Sequence, residues 1–334
     1  MLFAICADRG APGSTTAALA LASARGLPAI VVEADPYGGD LALRLKPDGK
    51  HPLATTPTVL SVAAGRSAER RHVPATTPMR QLDLWRSGSH ELSQQVRVVP
   101  GFMNAEQGAA VAWPALASVL ASQRVPVFAD VGRIHTGSPS MPILTTAHAV
   151  IAVFRGDMGS VHHMIERLEA LAPAIAERTG RTPMFLPMVV APRQHGSELA
   201  QAISQLLGAS AVGPAVRYVG WLAWDPPGCV ALEDGGDPWE KPLRKSPLMT
   251  SARKALHLVG LAAGLEYAQP AQAKGRWSKA PEKAVDTVPS TATGGGSDEG
   301  AAREPEPTVT RSDSGWSRPV PVGRARGDVN GEGA

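Results

Sequence analysis

Residues 1–16 read MLFAICADRGAPGSTT, an apolar run followed by a glycine-containing turn. The run MLFAIC predicts a buried β-strand, and the alanine- and leucine-rich stretch that starts at Ser14 predicts a helix. A strand, a glycine-rich turn and a helix in this order are the layout of a phosphate-binding loop, in which backbone N–H groups at a helix N-terminus bind phosphate. Ser14 stands where that motif carries a lysine that reaches the β- and γ-phosphates.

The composition limits the class of protein. The 334 residues are 43% hydrophobic, enough for one large α/β domain or two small ones. Lys and Arg exceed Asp and Glu by only 33 − 30 = 3, so the charge does not support nucleic-acid binding. Cys6 and Cys229 are too few for a disulfide framework and are not spaced as metal ligands. Without an apolar run of about 18 residues, we expect a cytoplasmic protein and no membrane partner.

Short apolar runs alternate with longer amphipathic segments over residues 1–267. This pattern predicts a doubly wound α/β domain with a mostly parallel sheet. The predicted strands are 2–6, 29–33, 96–99, 125–130, 149–154, 183–190 and 216–222. The predicted helices are 14–25, 106–122, 158–178, 197–207 and 249–265. Residues 46–95 are less regular, and within them we predict a helix over 58–64 and a strand over 81–85.

The last part of the chain, residues 268–334, differs in composition from the rest. It contains no Leu, Ile, Phe or Met and is rich in Pro, Gly, Ser, Thr and Ala. Such a segment cannot bury enough apolar surface to offset the entropy lost on ordering. We therefore predict a disordered tail, in which nine Lys and Arg against nine Asp and Glu disfavour a basic tether.

Three short polar segments fall at the ends of predicted strands. They read RGAPGSTT (9–16), EADPYGGDL (33–41) and ADVGR (129–133). In open α/β sheets ligands bind at the carboxyl ends of the strands. In this order the segments resemble the deviant phosphate-binding loop, the switch I aspartate and the Walker B aspartate of the ParA/MinD-like (SIMIBI-class) P-loop ATPases. The resemblance covers most of residues 1–267 and implies a nucleotide-switched dimer that binds ATP and Mg²⁺.

The first segment corresponds to the family pattern KGGxGKTT, in a degenerate form of the Walker A motif. Arg9 stands for the lysine that reaches the partner subunit's phosphates, and its guanidinium group is able to bind phosphate. Ser14 is too short and uncharged to replace the second lysine, so the resemblance implies at most a slow ATPase. The alternative is a tight turn in which Ser14 or Thr15 caps the helix. The residues assigned to nucleotide binding are Arg9, Gly10, Ala11, Pro12, Gly13, Ser14, Thr15 and Thr16.

The other two segments supply carboxylates. The family's paired aspartates correspond to Glu33 and Asp35, and the resemblance makes Asp35 the catalytic residue that orients the attacking water. The alternative for this segment is a polar turn. Asp130 corresponds to the Walker B aspartate and would hold Mg²⁺ through water, with Thr15 as the direct Mg²⁺ ligand. Asp225 would border the nucleotide, and its alternative is a plain β-turn.

These expectations combine into two functions. The first is a nucleotide-responsive, dimerising regulatory or positioning protein that forms a homodimer, binds ATP with weak or no hydrolysis and acts on an unidentified protein partner. The alternative is a nucleotide-independent pseudo-ATPase scaffold that binds a protein partner. A small-molecule ligase shares the architecture, but the sequence shows no cluster of convergent polar groups that such an enzyme would need.

Overall fold

A single eight-stranded sheet forms the centre of the computed structural model, which describes residues 1–8, 13–54, 56–65 and 82–268. The strands are β1 (Leu2–Ala7), β2 (Ala29–Glu33), β3 (His90–Ser93), β4 (Val96–Val99), β5 (Val127–Arg133), β6 (Ala149–Arg155), β7 (Met188–Ala191) and β8 (Gly220–Ala223). The helices are α1 (Ser14–Ala24), α2 (Leu41–Arg44), α3 (Val59–Ala63), α4 (Ala105–Ala109), α5 (Trp113–Ala121), α6 (Met141–Thr146), α7 (Met158–Thr179), α8 (Gly196–Gly208), α9 (Pro226–Glu233) and α10 (Pro247–Ala263).

The strand order is β3-β4-β2-β5-β1-β6-β7-β8. Every neighbouring pair is parallel except β3 and β4, which are antiparallel. The chain therefore begins in the middle of the sheet and builds outward in both directions, which is the topology of a doubly wound fold. The predicted fold class is confirmed.

Both faces of the sheet are covered. Along β1, Leu2, Ala4 and Cys6 pack on one face, with apolar side chains from α5, α6, α7 and α8. Phe3 and Ile5 pack on the other face, with α1 and α10. This division follows from the two-residue repeat of side chains along a strand. It also explains why the strands are continuously apolar, since neither face meets water.

Several predicted elements need correction. The strand predicted over 81–85 is wrong, because the described residues 82–89 form turns in which the Leu84 N–H bonds to Gln123 Oε1 at 2.9 Å. The edge strand is instead β3, whose sequence HELS has little apolar character. The helix predicted over 106–122 is two helices, α4 and α5, and Pro114 in the first turn of α5 marks the new start. The short helices α2, α6 and α9 were not predicted.

The described part of the chain has no helix that is long and apolar enough to cross a membrane. Residues 269–334, predicted as the greater part of a disordered tail, lie outside the described residues. The domain boundary after residue 267 stays a prediction.

Candidate functional site

The carboxyl ends of β1, β2 and β5 lie side by side, because these strands are neighbours in the sheet. Within β5, Asp130 is opposite Ile5 of β1 and opposite Glu33 of β2. The loop after β1 leads into α1, and the loop after β2 carries Asp35. The three segments that the sequence singled out are thus brought to one edge of the sheet. Residues 9–12 of the first segment lie outside the described residues, so the assignments of Arg9, Gly10, Ala11 and Pro12 stay predictions.

The start of α1 faces β5. The helix begins at Ser14, directly after Gly13, whose φ of 96° lies in the left-handed region that favours glycine. The Thr15 hydroxyl donates a hydrogen bond to Oδ2 of Asp130. The alternative in which Ser14 or Thr15 caps the helix is wrong, because Gly13 holds the N-cap position without a side-chain bond.

Asp130 is a buried acid, with 2% of its surface exposed. Burial raises its pKa, and the hydrogen bonds from Thr15 and from the Gly132 N–H at 3.0 Å oppose that rise. A divalent cation beside this carboxylate would favour its charged form. The Thr15 oxygen is on the same side, so the two residues that the sequence assigned to Mg²⁺ are in contact.

Asp35 is in the loop after β2 and lies against Gly132 of β5. A Cβ atom on Gly132 would come within 1.9 Å of Asp35 Oδ2, and the φ of Gly132 is +62°. Asp35 Oδ1 accepts a hydrogen bond from the Tyr37 N–H at 2.9 Å, so this segment is also the polar turn that the alternative described. Burial raises the pKa of Asp35 to about 6, and the charge of Asp130 adds to the rise. The loop after β2 thus contacts the end of β5 at Asp35 and Gly132.

Glu33 differs from Asp35 in its surroundings. Its carboxylate accepts hydrogen bonds from three backbone N–H groups, those of Asp40, Leu41 and Gly101. Burial raises the pKa of Glu33 to about 7, and the three N–H groups oppose this rise. The sequence predicted the charge at this position but not these contacts. The glycines of the motif EADPYGGDL were the available signal, since Gly39 packs directly on the Glu33 carboxyl group.

Asp8, at the end of β1, was not predicted as a site residue. It is buried and accepts a hydrogen bond at 2.7 Å from Nε of Arg167 on α7. This charge-assisted hydrogen bond joins Asp8, which directly follows β1, to α7. An acid directly after the first strand was the only sequence signal, and its partner is 159 positions away.

Asp225 has a different local role. It is the N-cap of α9 and accepts from the Gly228 N–H at 3.1 Å, while its second oxygen accepts from the Leu248 N–H of α10 at 3.0 Å. Both carboxylate oxygens therefore bind backbone, and the predicted contact with nucleotide stays a prediction.

The donor set fits Mg²⁺ shared with phosphate. Mg²⁺ is bound through oxygen, typically by one or two protein ligands together with water and substrate phosphates. Thr15 and Asp130 supply such oxygens. Among the described residues no group of three or more His, Cys, Asp or Glu side chains could hold a metal alone. Any Mg²⁺ held here would depend on a second ligand such as a nucleotide.

The sheet order and this edge define a class: the chain has the ParA/MinD-like P-loop fold. A ParA family ATPase from Chlorobium tepidum TLS has a TM-score of 0.55 and 14% identity, covering 77% of this chain and 98% of its own. MinD from Pyrococcus horikoshii OT3, complexed with Mg-ADP, has a TM-score of 0.53 and 16% identity over 79% and 100% of the two chains.

An ATP complex of a Cyanothece McdA variant has a TM-score of 0.52 and 15% identity, covering 80% of this chain and 98% of its own. At these identities the similarity concerns the fold. No protein-family model matches the chain, and no curated protein matches it.

Proposed function

We propose that this chain is a nucleotide-responsive, dimerising regulatory or positioning protein of the cytoplasm, which binds ATP with Mg²⁺ at the carboxyl edge of β1, β2 and β5. The contact between Thr15 and Asp130 carries the proposal, because it joins the two predicted Mg²⁺ residues across the sheet. The solved structures with this fold include an Mg-ADP complex of MinD and an ATP complex of McdA. These complexes support the same class of ligand here.

Each residue has a stated role in the proposal. The backbone N–H groups of the turn and the N-terminus of α1 bind the phosphates, and Arg9 reaches the phosphates bound to a second copy of the chain. Thr15 and Asp130 hold Mg²⁺, which neutralises phosphate charge when it is bound. Asp35 accepts a proton from, or orients, the attacking water. Hydrolysis is slow or absent, because Ser14 supplies no cation to the phosphoryl group.

A second candidate function is a scaffold that binds its protein partner without nucleotide. The observation that favours it is the burial of Ser14 at the start of α1. This short, uncharged side chain supplies no cation to a phosphate. The exposed apolar side chains of Tyr37 and Met103, on adjacent loops of the same edge, offer a surface for a protein.

Calorimetry with a non-hydrolysable ATP analogue, with and without Mg²⁺, separates the two functions. The first predicts binding by the wild type that strengthens with Mg²⁺, a loss of this strengthening in Thr15→Val, and weaker binding in Arg9→Ala. Thr146→Val is the matched control, because Thr146 is an exposed threonine of α6 whose hydroxyl bonds to Pro142 O. Absence of binding at millimolar analogue would rule out the nucleotide switch and leave the scaffold.

Dimerisation needs a separate measurement. Sedimentation of the wild type with and without the analogue should show a mass that doubles with nucleotide. Arg9→Ala should bind the analogue and stay monomeric if this arginine acts across the dimer. An unchanged mass for the nucleotide-bound wild type would contradict the dimer and leave a nucleotide-binding monomer.

A further inference from the structure

Glu33 connects two loops at the edge of the sheet. It is the last residue of β2 and is 3% exposed. Oε1 accepts from the N–H groups of Asp40 at 3.0 Å and Leu41 at 3.1 Å. Oε2 accepts from the Gly101 N–H at 2.8 Å. One carboxylate therefore binds the end of the loop after β2, where α2 begins, and the loop after β4.

The surrounding backbone leaves room for this carboxylate only because two of its neighbours are glycines. A Cβ atom on Gly39 would lie 2.0 Å from Glu33 Cδ, and a Cβ atom on Gly101 would lie 3.0 Å from Glu33 Oε2. A further bond, from the Gly39 N–H to Phe102 O at 2.8 Å, joins the same two loops. The two glycines thus let the backbone of both loops approach the Glu33 carboxylate closely.

The loop of residues 34–41 is fixed at both ends by this arrangement. At its beginning the Ala34 N–H bonds to Asp130 O at 2.6 Å, and at its end Glu33 holds Asp40 and Leu41. Asp35 lies between these anchors and against Gly132. Asp35 is held by its own turn and by the two ends of the loop. Because Glu33 fixes one of these ends, the placement of the Asp35 carboxylate depends on Glu33.

The burial of the polar Glu33 side chain makes a purely structural role costly. Among the described residues no Lys, Arg or His forms an ion pair with it. A buried carboxylate without a cationic partner is usually destabilising relative to an apolar side chain of similar size. Its three N–H bonds compensate only if both loops keep their present geometry. The hydrogen bonds of Glu33 therefore offset the cost of its burial only while both loops keep this geometry.

We propose that Glu33 is a positioning residue, which fixes the loop of residues 34–41 through three backbone hydrogen bonds and so places Asp35 to bind the water beside the terminal phosphate of a bound nucleotide. This inference rests on the proposed function and deepens it. Glu33 does not touch the nucleotide in this proposal. It determines whether the site distinguishes a triphosphate from a diphosphate, because only the triphosphate reaches the water bound by Asp35.

The first test measures the anchoring without any nucleotide. Glu33→Gln keeps the size of the side chain but turns an amide –NH₂ toward at least one of the backbone N–H groups. Among the amides of Asp40, Leu41 and Gly101, hydrogen exchange should accelerate about tenfold at those that then face the –NH₂ group, which corresponds to the loss of a hydrogen bond to the carboxylate. The control is Glu91→Gln, since Glu91 is an exposed residue of β3. Exchange at the three amides that matches wild type would overturn the anchoring.

The second test measures the positioning. The wild type should bind the ATP analogue more tightly than ADP, both with Mg²⁺. Glu33→Gln should lower the affinity for the analogue about tenfold and leave the affinity for ADP unchanged. The shorter side chain of Glu33→Asp reaches only one of the two loops. Its affinity for the analogue should therefore be closer to that of Glu33→Gln than to that of wild type. If Glu33 had a merely structural role, Glu33→Gln would lower the affinity for both nucleotides equally or for neither.

The possible failures are distinguishable. A wild type that binds neither nucleotide overturns the proposed function and the positioning role together, while the exchange data still decide the anchoring. A wild type that prefers the analogue, with the same preference in Glu33→Gln, overturns the positioning role alone. Slow exchange of the core amides of β1 in all the variants, equal to that of wild type, verifies that the variants are folded.

Discussion

The Thr15 hydroxyl donates a hydrogen bond to the Asp130 carboxylate, although the two residues are 115 positions apart in the chain. The bond exists because β1 and β5 are neighbours, so the start of α1 meets the carboxyl end of β5. Asp130 is buried, and an acid in this position needs a donor or a cation. Thr15 is the donor in the free chain and the predicted metal ligand in the nucleotide complex.

Thr15→Val should destabilise the free protein. Valine has the shape of threonine but no hydroxyl, so Oδ2 of the buried Asp130 loses its donor. The free energy of unfolding, measured by urea denaturation, should fall by about 1–3 kcal/mol. Thr146→Val is the control and should change it by less than about 0.5 kcal/mol. An equal effect in the two variants would show that the Asp130 bond contributes nothing to stability.

Gly132→Ala should be costly for two separable reasons. Alanine at a φ of +62° is strained, by about 1–2 kcal/mol, and its Cβ would collide with Asp35 Oδ2. Gly180→Ala is the matched control, because Gly180 has a φ of +67° and no described atom lies within 4 Å of the place that its Cβ would take. In urea denaturation we expect Gly132→Ala to lower the free energy of unfolding by about 1–3 kcal/mol more than Gly180→Ala does.

The Asp35→Ala background tests the origin of that difference. Removing the Asp35 carboxylate should lower the cost of Gly132→Ala to that of Gly180→Ala, since the strain remains and the collision is gone. If the difference persists in this background, the contact between Asp35 and Gly132 is not its cause.

Stability should decrease as the pH rises from about 4 to about 7. In the folded state burial raises the pKa of Asp35 from its ordinary 3.8 to about 6 and that of Glu33 from 4.5 to about 7. The folded chain therefore holds protons that the unfolded chain has released, and this contribution to stability is lost as the pH passes through the folded pKa values. Asp35→Asn should flatten the decrease by about 1–2 kcal/mol after solvent screening.

Urea denaturation at about pH 5 and about pH 7 measures this dependence. Millimolar Mg²⁺ with the ATP analogue should stabilise the protein more at the higher pH, because the cation favours charged carboxylates. The same stabilisation at both pH values would contradict a cation beside Asp130.

Ser14→Lys should increase nucleotide affinity or turnover. The added ammonium group stands at the position of the missing lysine and would reach the β- and γ-phosphates. Ser14 is the first residue of α1 and is buried, so any larger side chain also adds bulk at this position. The control is therefore Ser14→Met, which introduces similar bulk without charge. Calorimetry and phosphate release measure the effect. No gain over Ser14→Met would indicate that this turn is not organised around phosphate.

Much of the fold was predictable from local sequence pattern. The bounds of β2 and β4 agree with prediction, and those of α1, α7, α8 and α10 differ from it by at most two residues at either end. These elements have long apolar patterns that state their type. The pattern was insufficient for β3, an edge strand with little apolar character, and for the break between α4 and α5, where Pro114 begins a second helix inside one amphipathic stretch.

The candidate site was predictable in its segments but not in its contacts. The order of the three polar segments placed Thr15, Asp35 and Asp130 at one edge of the sheet. The position of Glu33 in the motif predicted a charge. Two of its bonds are to the nearby N–H groups of Asp40 and Leu41, whereas the third is to Gly101 in the loop after β4, which is 68 positions away. No local pattern encodes that distance.

By itself, the sequence determined the class of fold, because side-chain periodicity and turn residues act within a few positions of one another. It also predicted Thr15 and Asp130 as oxygen ligands of Mg²⁺, and the resemblance assigned Ser14 to the position of a lysine. Only the tertiary structure decided that Thr15 bonds to Asp130, that Asp35 lies on Gly132, and that Glu33 joins two loops. These contacts depend on which strands are neighbours, and strand order follows from the packing of both faces of the sheet rather than from any single segment.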